Sequence, residues 1–270
     1  MLPRRDWMEM TWEDFSRGDP SRWIAVLPLA AIEQHGPHLS LGADAMIAQA
    51  YLAKTRAALP AELPVTFLSL QTIGASDEHR AFPGTLTLSP ETLLRVIEEI
   101  AESVHRAGVR KLVLVNSHGG NFEIMGLAAR SLRARLQMLV VFASWHLFGY
   151  PDGLFGADEI AHGIHGGEIE TSIMLAAHLE LVRKDKAENF RSTAQTMEQE
   201  FKHLRLSLPA GFGWMTQDLN PSGAVGNAAA ATAAKGEAAL AHGACAFVEL
   251  LTEVDRFDLA RLADGPILPT

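Results

Sequence analysis

The sequence predicts an α/β fold on a mostly parallel sheet, and three observations carry that prediction. An apolar run at 22–30, Arg-Trp-Ile-Ala-Val-Leu-Pro-Leu-Ala, stops abruptly at polar residues, as a strand buried on both faces does. Residues 109–145 read strand, helix, strand in direct succession, which sets the two strands parallel with a right-handed crossover. The Gly-, Pro- and His-rich segment 31–43 has the composition of a loop leaving a strand's carboxyl end, where ligands sit in such sheets.

The remaining elements follow in order. Apolar residues recur at helical spacing from Asp44 to about Ala58, and Pro60 and Pro64 break the pattern before a β-like run at 65–70. A long loop is expected over 71–89. Ser89 then caps a helix with Pro90 in its first position, running to Arg106 and ending at Gly108. Val109 to Asn116 forms a strand, Ser117 to Asn121 turns into a helix through Leu136, and 138–145 is another strand. A helix enters near Gly166 and ends by Leu181, no element is assigned over 183–225, and an Ala-rich helix covers Asn227 to Arg256. With no repeat or low-complexity linker, residues 1–270 read as one domain.

Composition narrows the function classes. A formal charge of −9 without a basic stripe argues against nucleic acid as a partner. The single cysteine, Cys245, rules out an internal disulfide and a thiolate zinc site, and its Ala-rich surroundings mark it as a small core residue. No apolar run reaches a membrane span and no signal core follows Met1, so a soluble cytoplasmic protein acting on a small molecule is expected.

The polar residues that remain have ligand chemistry. Glu33 and His35 are two apart, which in extended chain points both to one side. Asp44 starts a helix, where amide dipoles favour an anion. His118 sits on the turn after a strand, beside Gly119 and Gly120, and His165 and Glu168 flank a Gly-Gly pair at another helix entrance. Carboxylates mixed with imidazoles suit zinc, manganese or ferrous ions, and their number suits two ions better than one. Ser76-Asp77-Glu78-His79 is read as a loop held by hydrogen bonds, with Ser76 and Trp145 as candidate pocket residues. Taken singly, each position is also readable as a helix cap, a turn or packing.

Glu33-Gln34-His35-Gly36-Pro37-His38 running to Gly42-Ala43-Asp44, Phe82-Pro83-Gly84-Thr85, Asn116 to Asn121, and His165-Gly166-Gly167-Glu168-Ile169-Glu170-Thr171-Ser172 together resemble the creatininase family. The resemblance implies a three-layer αβα sandwich, a homohexamer, and two divalent ions bridged by Asp44 and a water. Glu33, Asp44 and His118 would hold one ion and His35, Asp44 and Glu168 the other. His165 would exchange a proton with the leaving nitrogen, and the Gly119 and Gly120 amides would lie near the oxyanion. Two departures bear on substrate. Creatinine-hydrolysing members carry a liganding Glu where this chain has Gly120, so Glu168 is expected to replace it. They also use two tryptophans around the ring; Trp145 matches one, and Ala161 stands in place of the other. Amidohydrolase activity on formamides, cyclic amides, peptides or keto-inositols stays open, as does a binding module without catalysis.

Overall fold

The computed structural model describes residues 2–263 and Gly265. A short helix α1 (Trp12–Arg17), opened by Asp14 accepting from the Thr11 amide at 2.7 Å, leads to β1 (Ile24–Leu29). Then come α2 (Ala43–Ala58), β2 (Val65–Phe67), α3 (Pro90–Arg106), β3 (Lys111–Asn116), α4 (Phe122–Leu136) and β4 (Leu139–Ser144). The chain continues through α5 (Ala157–His162), α6 (Glu168–Ala177), β5 (Asn189–Phe190), α7 (Ala194–Glu200), α8 (Thr216–Leu219), β6 (Gly226–Asn227) and α9 (Ala233–Arg256).

Four strands pair in the order β2-β1-β3-β4, all parallel, with Ile24 opposite both Val65 and Lys111 and with Lys111 opposite Leu139. Period-two alternation splits their side chains between two cores. Ile24, Val26, Val65, Phe67, Val113 and Val115 pack against α2, α6 and α9 through Ile47, Tyr51, Met174, Leu240 and Phe247. Ala25, Leu27, Leu29, Leu112 and Leu114 face α3 and α4 through Leu93, Ile97, Met125 and Leu132. This is the three-layer sandwich expected. Each such buried aliphatic side chain contributes roughly 1.5–3 kcal/mol.

At the strands' amino ends, Lys111 and Arg5 donate to backbone carbonyls. Lys111 Nζ donates to the Val254 and Asp255 carbonyls at 2.8 and 2.6 Å, closing the carboxyl end of α9. The Arg5 guanidinium donates to the carbonyls of Pro60 at 2.7 Å, Ala61 at 3.0 Å, Val65 at 3.2 Å and also Leu63.

Several boundaries differ from expectation for local reasons. β2 stops at Phe67, although Leu68 and Gln71 still donate to the Val26 and Pro28 carbonyls as the chain curls along β1. α6 stops at Ala177, and Leu179–Leu181 is a separate 3₁₀ turn. α9 begins at Ala233 and not at Asn227, because Gly226 and Asn227 pair with β5 and Thr232 caps the helix through the Lys235 amide. The unassigned stretch 183–225 holds β5, α7 and α8, while α1 and α5 were not anticipated. Among the described residues, no helix is long and apolar enough to cross a membrane.

Candidate metal centre

Beyond the carboxyl ends of β1 and β3, Glu33, His35, Asp44, His118 and His165 converge, all buried. Hydrogen bonds decide what each imidazole presents. His35 Nδ1 lies 3.0 Å from the Glu33 carbonyl oxygen, which only accepts, so Nδ1 carries the proton. Its Nε2 lone pair then faces Asp44 Oδ1 at 3.4 Å and Glu170 Oε2 at 3.7 Å. His118 is turned the other way: Nε2 donates to the Ala75 carbonyl at 2.8 Å, and Nδ1 faces Glu33 Oε1 at 3.1 Å and Asp44 Oδ2 at 3.4 Å.

A lone pair aimed at a carboxylate is repulsive unless positive charge sits between them or on the ring. Both Glu33 carboxylate oxygens, His35 Nε2 and Asp44 Oδ2 are buried without a hydrogen-bond partner. Each such atom ordinarily costs ~1–3 kcal/mol, and four in one place offer a cluster of ligand atoms to a cation. Burial alone pushes His35 down, yet Asp44, Glu170 and Glu33 together raise its pKa to about 10. His118, lowered by burial, is lifted well above the ordinary imidazole value by Glu33 and Asp44. Burial raises Asp44, but His35 and His118 outweigh it and hold the carboxyl at about 2. With both imidazoles raised, a cation entering the cluster competes with protons for these nitrogens. The donor set, two imidazole nitrogens with several carboxylates, fits divalent zinc, manganese or iron.

The loops are pinned by the residues around the motif. Asn116 Oδ1 accepts from the His118 amide at 3.1 Å, and Asn121 joins the loops by donating to the Ala30 carbonyl and accepting from the Ala75 amide. A side chain at Gly120 would lie 2.4 Å from the Ala75 carbonyl and 2.8 Å from Glu78 Oε1, so the tight turn needs glycine there. Gly119, by contrast, opens onto free space.

Glu168 does not join the cluster. It forms an ion pair with Lys235 of α9, whereas Glu170 reaches the centre, its Oε2 accepting from the Gly166 amide at 2.6 Å. The reason is helical geometry: at about 100° per residue, positions two apart on α6 face nearly opposite ways. Burial raises the Glu170 pKa to about 7 against the pull of His35, with Asp44 adding to the rise. Its sequence signal was its place as third residue of α6, where an acid reaches back over the helix start. Trp145 also lies elsewhere, buried in the core, stacked on Tyr51 at 4.5 Å and edge-on to Phe247. Ser76 is buried with its hydroxyl 3.4 Å from His118 Nε2, beside the centre.

His79, left unassigned by sequence, stands within the cluster, Nε2 3.2 Å from Glu33 Oε1. His165 stacks between His35 and His79 with ring centroids 4.2 Å away on each side. Its Nε2 donates to the Gln34 carbonyl at 2.6 Å, leaving Nδ1 bare 3.7 Å from Glu33 Oε1. Burial first, and then His35 and His79, hold its pKa well below the ordinary imidazole value. The His165 loop is in turn clamped by Glu159, whose buried carboxylate accepts from the Glu168 amide at 2.6 Å and the Asn227 amide at 2.8 Å. Gly163, Gly167 and Gly226 line that carboxylate so tightly that an added methyl at any of them would lie within 3.0 Å of it.

The family model described as creatinine amidohydrolase matches residues 8–251. The chain belongs to the creatininase family of hydrolases. It is 32% identical to creatinine amidohydrolase of Pseudomonas putida over 66% of this chain and 74% of that one. It is also 32% identical to the mycofactocin precursor peptide peptidase of Mycobacterium ulcerans, over 80% of each. Among solved structures, a putative creatinine amidohydrolase from Bacteroides fragilis superposes with a TM-score of 0.77, covering 96% of this chain and 99% of that chain at 23% identity, which shows a common fold.

Proposed function

We propose that this chain is a metal-dependent amidohydrolase that cleaves a carbon–nitrogen amide-type bond in a small molecule with two divalent ions. One observation carries the reading: buried Glu33 and Asp44 crowd their carboxylate oxygens against the inward ring nitrogens of His35 and His118, at 3.4 Å for His35 and 3.1 and 3.4 Å for His118. Glu33, Asp44 and His118 would hold one ion and His35, Asp44 and Glu170 the other, with Glu170 replacing Glu168. Bound there, the ions supply an activated water near neutral pH and polarise the scissile carbonyl.

The protein's own groups do the rest. Asp44, second residue of α2, offers one oxygen toward each imidazole and so ties both halves of the site to one helix start. Gln34 holds His165 through Nε2, so the ring takes a proton at Nδ1 and returns it to the departing nitrogen. Such acid–base help is typically worth ~10²–10⁴-fold. Gly119 is solvent-exposed beside His118, and its amide would donate to a substrate oxygen. Because Trp145 is in the core and Ala161 replaces a second aromatic, no ring clamp supports creatinine as substrate. Formamides, cyclic amides and short peptide termini fit better, and the extensive likeness to a peptide peptidase favours including peptides. A homo-oligomer, hexameric as in the family resemblance, and a cytoplasmic location complete the proposal.

Elemental analysis of the metal-loaded chain, followed by assays on formamides, cyclic amides, short peptides and inososes, tests it. About two ions per chain and turnover of an amide are expected. A chain that takes up no divalent ion overturns the reading; one that takes up two and turns over nothing is a binding module.

A further inference from the structure

One unexplained feature is the company kept by Gln34, between two residues assigned to the metals. Its side chain is held in one orientation: Oε1 accepts from the Gly36 amide at 2.9 Å, and Nε2 donates to the Gly223 carbonyl at 2.7 Å. The amide cannot flip without setting donor against donor and acceptor against acceptor. The second Nε2 proton goes to His79 Nδ1 at 2.7 Å and not to His165 Nε2 at 3.3 Å, because His165 Nε2 is itself a donor to the Gln34 carbonyl. His79 Nδ1 must be bare to receive it, so in the neutral ring the proton sits on Nε2, 3.2 Å from Glu33 Oε1 but not aligned as a hydrogen bond, so the contact is electrostatic. Thr216 Oγ1 lies 2.9 Å from Nδ1 and 3.1 Å from the Glu78 carbonyl, so a bare Nδ1 and that carbonyl share its hydroxyl proton.

The consequence separates two histidines that distance alone does not. Glu33, His79 and His165 offer ligand atoms within 4.8 Å of one another, close enough to hold an ion as a trio. Yet His165 turns a bare nitrogen toward Glu33 while His79 turns an N–H, and an N–H cannot ligate. We propose that Gln34 is a positioning residue that fixes the His79 ring with its Nε2–H toward Glu33, excluding His79 from the ligand set and making it a fixed dipole that steadies the Glu33 carboxylate. Both contacts come from one residue, since the Gln34 carbonyl sets the His165 ring and its side-chain amide sets the His79 ring. The segment around Thr216 and Gly223 thereby acts on the centre through Gln34 and His79. Outer partners of this kind typically change metal affinity or activity ~10–100-fold.

The inference rests on the metal-centre reading, and the test separates the two. Nitrogen-15 NMR of histidine-labelled, metal-free protein should show His79 with Nδ1 bare and Nε2 protonated. After loading with cadmium-113, nitrogen–cadmium coupling should appear at His35 Nε2 and His118 Nδ1 and at neither nitrogen of His79. In Gln34→Met the His79 ring should populate the second tautomer, and in His79→Phe the ion count should hold while affinity falls on the order of tenfold. Protonated Nδ1 in the wild type, coupling at His79, or affinity unmoved in His79→Phe overturns the role of Gln34 and His79 alone. A wild-type chain without ion uptake overturns the metal centre, and this role with it.

Discussion

The two ends of the central sheet hold side chains of opposite charge and treat them differently. At the amino end, Lys111 and Arg5 donate hydrogen bonds to backbone carbonyls of α9 and of the 60–65 loop. At the carboxyl end, Glu33, Asp44 and His35 keep buried polar atoms without partners. The first arrangement holds the fold together; the second keeps binding capacity open at the cost of stability, a division common where function needs a destabilised site.

Asp44→Asn attacks that contrast most directly. By removing the one carboxylate shared between the imidazoles it should drop ion content to near zero and abolish turnover, as elemental analysis and assay would read. His165→Ala should lower kcat by ~10²–10⁴-fold with ion content unchanged, since its role is at the proton and not at the metal. A further comparison sets Glu170→Ala, expected to lose one ion, against Glu168→Ala, expected to keep both; the reverse outcome would restore the ligand set read from sequence.

The pH dependence of ion uptake has a definite sign. His35 holds its proton up to about pH 10 in the metal-free chain, and His118 is likewise raised, so an entering ion must displace protons and affinity rises with pH. Calorimetry at pH 7 in buffers of different ionisation enthalpy should report net proton release. Lys111→Met gives the smallest change: a loss of roughly 1–3 kcal/mol from stranding two carbonyls at the end of α9, with ion content untouched, read as a lower denaturation midpoint.

What sequence revealed follows from how far each signal reaches. Strands β1 and β3 declare themselves because burial on both faces demands unbroken apolar runs, and Ser89-Pro90 marks the start of α3 through local capping chemistry. The convergence of Glu33, His35, Asp44 and His118 was legible because the first two and His118 occupy turns after strands and Asp44 opens α2. Glu170 was not, since Glu168 and Glu170 differ only in the direction each takes from α6. His79 was hidden for another reason: the partners that give it meaning, Gln34 and Thr216, lie 45 and 137 residues away. Trp145 read as a pocket wall because its position at the end of β4 says nothing about the Tyr51 ring waiting beneath it.

The Glu159 clamp also sets where this enzyme can be redesigned. With Gly163, Gly167 and Gly226 pressed against one carboxylate, mutant libraries aimed at those glycines should return mostly dead clones. Phe201, Leu204, Leu208 and Met215 are solvent-exposed, and substitutions there meet no such packing limit.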